Sequence, residues 1–212
     1  MTDPRIAAIH ADATWLAVHD PVLRRAAGLA GAFEIRLREP GFGTLLHLIL
    51  EQQVSIDAAR AMYRRLTDTL GVVDPARFLD LDDATLRRCG FTRQKAGYAR
   101  DIAGAVIDGS FSFESLKEMG DEDVIEALRR LRGIGPWTAA NYTLWALGRR
   151  DVFPPGDLAL RAAWNLLHGR EGLADDAELV AHATRWSPRR TAAAFLLWHS
   201  YLVTKGRRIP DQ

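Results

Sequence analysis

A chain of 212 residues, 48% of them apolar and with a net charge of +1, is long enough for one sizeable core or for two lobes around a cleft. No apolar run approaches membrane-spanning length, and the opening MTDPRIAAIHADATW has no signal-peptide core, so an intracellular, cytoplasmic setting is expected. The single cysteine, Cys89, excludes an internal disulfide and a cluster held by four thiolates. The six histidines share no ligand-like spacing beside a carboxylate pair, which argues against a zinc site.

The cations are 25 Arg and only 3 Lys, a bias that a GC-rich genome explains as well as phosphate binding does. Their placement says more. From Arg185 onward the chain holds Arg185, Arg189, Arg190, Lys205, Arg207 and Arg208 against one acid, Asp211.

Helical periodicity dominates. Over residues 42–53, Phe42, Leu45, Leu46, Ile49 and Leu50 form one apolar stripe, and its next member is the polar Gln53. Residues 56–70 read as an amphipathic helix with Gly71 after its end, and 93–108 as another, stopped by Gly109. Over 121–131, Val124, Ile125, Leu128 and Leu131 share a face, with Asp121 as N-cap and an acidic first turn. Residues 136–147 start on Pro136, which suits the first position of a helix. They are apolar nearly all round, so this helix should be buried, with Gly148 ending it. Further helices are expected over 157–168 and 188–204. Strand alternation is absent beyond short pieces, and the fold class is all-α.

Between the helices at 121–131 and 136–147 lies R-G-I-G. Two glycines allow a sharp turn and a close approach, and the helix start that follows offers N–H groups to a phosphate. Such a site reads backbone and not sequence. A helix hairpin that only packs is the equal alternative on this motif alone.

Residues 131–160, LRGIGPWTAANYTLWALGRRDVFPPGDLAL, resemble the helix-hairpin-helix DNA glycosylase superfamily: a G-I-G hairpin, a buried helix, then a loop ending in an aspartate. Asp157 stands 22 residues after Gly135, the spacing of that superfamily's catalytic aspartate. LILEQQVSIDAARAMYRRL (48–66), GFTRQKAGYARDIAGAVIDG (90–109) and RWSPRRTAAAFLLWHSYL (185–202) resemble segments of its alkyl-base branch, the 3-methyladenine glycosylase II type. The resemblance covers roughly residues 40–205.

The resemblance implies a two-lobed helical fold with the active site in the cleft, residues of about 55–150 forming the hairpin-bearing lobe and both chain ends the other. It implies a compact version without the β-rich N-terminal domain of some members. Asp157 would stabilise the positive charge that builds on deoxyribose as a base leaves, and would orient the attacking water. An N-cap role is the other reading of an Asp at that position, and the two are compatible. The superfamily's Schiff-base lysine lies two residues after the second hairpin glycine, and here that residue is Trp137. Base release without strand cleavage is therefore expected. Trp137 and Trp198 match aromatic pocket positions suited to a cationic alkylated purine, with Asn141, Tyr142 and Gln52 as further pocket candidates. Trp145, Trp164 and Trp186 are read as core.

A flipped base leaves a gap. Gln53 matches the wedge position that fills it, although some members carry an apolar residue there. Helix-end capping is the alternative for Gln52 and Gln53. Arg132, Gly133, Ile134, Gly135 and Thr138 are the expected DNA-gripping residues, with a monovalent cation as a possible guest of the Leu131, Gly133 and Ile134 carbonyls. No other cofactor is expected, and the expected partner is damaged duplex DNA, met by a monomer. The alternatives are a hairpin module that only binds DNA, a glycosylase for oxidised or deaminated bases, and a helical scaffold.

Overall fold

The structure, a computed structural model, describes residues 3–206. Arg207, Arg208 and Asp211 of the basic tail lie outside them. Twelve α-helices follow in order: α1 Pro4–His19, α2 Pro21–Ala30, α3 Phe42–Glu51, α4 Ile56–Leu70, α5 Pro75–Leu79, α6 Asp83–Cys89, α7 Arg93–Ile107, α8 Asp121–Arg129, α9 Pro136–Trp145, α10 Leu158–Leu167, α11 Asp176–Ala183 and α12 Arg190–Thr204. The described residues contain no strand.

Local chemistry explains the helix starts. Asp3, Asp20 and Asp74 each cap a helix whose first residue is proline, their carboxylates accepting N–H groups of the first turn. Ser55, Asp82, Thr92 and Asp175 cap α4, α6, α7 and α11 in the same way. Asp121 differs from its expected role. Gly120 is the N-cap of α8, and Asp121 is the first helical residue, where its charge still suits the dipole.

The chain forms two compact units. The first, Glu39–Tyr142, contains α3–α8 and most of α9. In it α3 packs on α4 and α7, and α7 also packs on α5 and α6. Its core includes Leu45, Leu46, Ile49, Leu66, Phe78, Ile102, Val124 and Leu128, all essentially without exposed surface. Each such side chain contributes about 1.5–3 kcal/mol by leaving water. This unit departs from the expected span of 55–150 at both ends. Helix α3 joins it by packing on α4 and α7, while Trp145 at the end of α9 belongs to the second unit and packs there on Phe195 and Trp198.

The second unit comprises the described residues up to Arg38 and from Thr143 on. Helix α12 is its axis, packed against α1, α2 and α10. Ten consecutive residues of α12, Thr191–Ser200, are buried, so it is a core helix and not an amphipathic one. Two of the six cations of the basic C-terminal stretch, Arg189 and Arg190, are used here in internal ion pairs. Arg150 makes a bidentate pair with Asp12 at 2.8 and 2.7 Å, Arg189 reaches the same carboxylate at 3.2 Å, and Arg190 pairs with Asp151 at 2.8 Å.

Candidate active site

Asp157 closes the loop Phe153–Gly156 and opens α10. Its Oδ1 accepts three hydrogen bonds: the N–H groups of Ala159 and Leu160 and the indole N–H of Trp198, each at 3.0 Å. The aspartate is therefore an N-cap, as one reading of the sequence has it, and is also tied to a second helix. It is only 8% exposed, and these donors are what make a carboxylate tolerable at that burial. The loop before it is anchored where the Gly156 N–H donates to Asp176 Oδ1 at 2.7 Å.

Trp198 has its own backing. Its ring stacks on Trp145 with centroids 5.6 Å apart, and Phe195 meets both indoles edge-on. The Arg38 guanidinium lies 5.8 Å from the Trp145 ring. Asp157 thus faces a rigid aromatic wall whose one polar atom points at it. The sequence marked Trp198 as a pocket position. The signal for its bond to Asp157 is a contact between residues 41 positions apart, which periodicity does not carry. Trp145, Trp164 and Trp186 are buried, as read from the sequence.

In the other unit the R-G-I-G segment forms the connection between α8 and α9. Gly133 has φ +87°, and a Cβ there would sit 2.2 Å from the Tyr98 ring, so glycine is required twice over. Gly135 is exposed, and a Cβ on it would meet open space. Ile134 is buried and its N–H donates to Leu131 O at 3.1 Å. Arg132, exposed, pairs with Asp101 of α7 at 3.0 Å and lies over Tyr98. The start of α9 carries the N–H groups and the positive dipole end that suit an anion.

The candidate residues around the hairpin separate into two sets. Trp137 is half-buried and Gln53 exposed. Thr138, Asn141 and Tyr142 are turned inward. Thr138 Oγ1 accepts the Gln52 amide at 3.0 Å, so its expected DNA contact through the side chain is not available. Asn141 donates to Trp137 O at 2.9 Å, one turn back. Tyr142 is fully buried, its hydroxyl accepts the Gly41 N–H at 2.8 Å, and burial pushes its pKa up. Tyr142 is core and offers a base no surface. Gln52, expected in the pocket, spends its amide on the hairpin, donating to Gly133 O at 3.0 Å as well as to Thr138. Two of the three carbonyls named for a cation, those of Leu131 and Gly133, therefore already accept hydrogen bonds.

Helix α3 stops at Glu51, so Gln53 does not complete its stripe. It sits instead in the turn to α4 with φ +59°, the one positive φ outside glycine among the described residues. A side chain in that region is strained, and such strain gathers at functional turns. Sequence reasoning missed Lys95. Its Nζ donates to Leu50 O at 2.9 Å and Gln52 O at 2.8 Å, holding the end of α3 just before that turn.

The chain is similar to known proteins over most of its length. Residues 46–189 match the model of the HhH-GPD superfamily base excision DNA repair protein family. The chain is 31% identical over 165 residues to DNA-3-methyladenine glycosylase 1 of Schizosaccharomyces pombe, a match spanning 76% of this chain and 72% of the relative. The solved structure of Schizosaccharomyces pombe 3-methyladenine DNA glycosylase with abasic DNA aligns with a TM-score of 0.81 at 27% identity, covering 88% of this chain and 94% of that one. A DNA-3-methyladenine glycosidase from Bacillus halodurans aligns with a TM-score of 0.74 at 30% identity, covering 97% and 93%.

Proposed function

Because the chain belongs to the HhH-GPD superfamily of base excision DNA repair proteins, we propose that it is a DNA glycosylase that excises alkylated purines of the 3-methyladenine type from duplex DNA. The observation that carries this is Asp157. A pure DNA-binding module has no use for a carboxylate fastened by three donors at the spacing from the hairpin that catalysis needs.

Breaking the bond from deoxyribose C1′ to the base nitrogen leaves positive charge on the sugar. The fixed Asp157 carboxylate stabilises that charge and orients a water for attack on C1′. Trp198 and the first turn of α10 hold the carboxylate so that it need not reorganise during the reaction. Trp137 stands where a lysine would otherwise form a Schiff base, which supports hydrolysis alone and an abasic-site product. Its half-exposed indole suits a base that alkylation has made cationic. The hairpin grips the phosphate backbone, and Gln53 fills the space the flipped base leaves.

Base release from methylated duplex DNA, wild type beside Asp157→Asn with products separated by chromatography, tests the proposal. Free 3-methyladenine from the wild type alone is the expected result. Release at similar rates from both would remove Asp157 from the chemistry. Release from neither, with DNA binding intact, would point to a binding module or another lesion.

A further inference from the structure

Lys95 occupies an unfavourable place by two local criteria. It lies in the first turn of α7, where the helix dipole disfavours a cation, and burial lowers its pKa. What holds it there is the end of α3. The last carbonyls of a helix lack partners within the helix and form its negative pole, and Lys95 Nζ takes two carbonyls there, those of Leu50 and Gln52. One of the chain's three lysines is thus used inside the protein.

The bond to Gln52 places Lys95 in a longer connection. Gln52 is held by its main chain from Lys95 and by its side chain to Gly133 and Thr138 of the hairpin. The next residue is the strained Gln53. Along α7, Tyr98 fills the space against Gly133 and Asp101 pairs with Arg132. Lys95, Tyr98 and Asp101, spaced i, i+3, i+6, therefore brace the Gln53 turn and the hairpin from one helix face.

We infer that Lys95 is a positioning residue for base extrusion: it locks the α3 terminus so that the Gln53 turn and the phosphate-gripping hairpin are held in fixed register. The inference rests on the reading of Gln53 as the residue that fills the vacated space. In this role Lys95 acts through the two α3 carbonyls and not through a contact of its own with substrate or phosphate.

The test compares Lys95→Met, Lys95→Arg and Gln53→Ala on a duplex carrying one 7-methylguanine beside 2-aminopurine. Fluorescence reports flipping, single-turnover base release reports excision, and affinity is followed against salt. Lys95→Met is expected to lose flipping and to excise about tenfold or more slowly, the scale of a misplaced group. Gln53→Ala should behave alike, and Lys95→Arg, which can still donate to both carbonyls, should recover most of the activity. The salt slope of Lys95→Met should match wild type, whereas a lost phosphate contact lowers it by about one. Normal flipping in Lys95→Met with impaired Gln53→Ala overturns the inference and leaves the wedge standing. Normal flipping in Gln53→Ala removes the wedge, and the inference with it. A reduced slope with intact flipping makes Lys95 a phosphate contact and also overturns it. Should Lys95→Met not fold, Lys95→Gln, whose shorter amide cannot reach both carbonyls, takes its place with a partial loss of flipping expected and normal flipping overturning the inference, and rates are normalised to the folded fraction.

Discussion

The Trp198 indole N–H meets Asp157 on the same oxygen that caps α10, so one atom joins the last long helix, the start of another and the proposed reaction centre. Asp157→Asn keeps an oxygen for all three donors. The variant is expected to fold with a melting temperature close to wild type, to bind abasic DNA and to excise nothing. A large fall in melting temperature would mean that the cap depends on the full carboxylate, and thermal denaturation decides this.

Trp198→Phe separates the donor from the ring. A hydrogen bond to a charged group contributes about 1.5–3 kcal/mol, so an excision rate roughly tenfold or more below wild type is expected. KM should change little, because the aromatic wall with Trp145 and Phe195 is retained. A rise in KM at constant kcat would instead assign Trp198 to base binding.

The two hairpin glycines should respond differently to alanine. Gly133→Ala places a methyl into the Tyr98 ring at a positive φ, and a loss of stability of at least about 1–3 kcal/mol is expected from the backbone strain alone. Gly135→Ala meets no neighbour, so its melting temperature should hold while DNA affinity falls for damaged and undamaged duplex alike. Unchanged affinity of Gly135→Ala would leave the hairpin as packing only.

Gln53→Gly relieves the left-handed strain that a side chain suffers there, worth about 1 kcal/mol. The variant should be as stable as wild type or more so, yet flip bases poorly. Improved stability with undiminished flipping would show that the turn's strain serves nothing.

Acid stability should depend on His199. The residue is only 8% exposed, and its ring stacks on Phe33 at 4.2 Å and leaves Nε2 without a hydrogen-bond partner. Burial first, and the nearby His10 second, lower its pKa to about 4. The folded state holds the ring neutral while the unfolded chain protonates near 6.5. Its contribution is therefore fully present above about pH 6.5 and is lost as pH falls from there towards 4, at most roughly 3 kcal/mol. Denaturant titrations across that window should show a shallower slope for His199→Phe than for wild type.

The buried helix α9 and the Gly133 turn were legible because each follows from local pattern, an apolar run and a glycine pair, whereas Asp157 was singled out only through the family resemblance and its spacing from the hairpin. The starts of α1, α2 and α5 are equally written, as Asp-Pro in each case. Gln53 shows the limit. The apolar stripe of α3 counts positions and runs on past Glu51, but the helix stops where Lys95 takes its carbonyls, and Lys95 lies more than forty residues away. The same limit hid the inward turn of Thr138 and Tyr142, whose partners Gln52 and Gly41 come from a distant segment.

That a single oxygen serves both scaffold and chemistry sets what a natural lesion in this gene can do. Replacements of Asp157 that carry no accepting oxygen leave the first turn of α10 and the Trp198 indole without their acceptor, and so lose stability, about 0.5–2 kcal/mol for the cap, along with the reaction. Asparagine keeps the accepting oxygen in place, and it is one nucleotide away in the genetic code. A cell carrying it would keep a folded protein that still finds damage and sits on it, a shield over lesions that other enzymes could otherwise reach. Such an allele would be worse than a deletion.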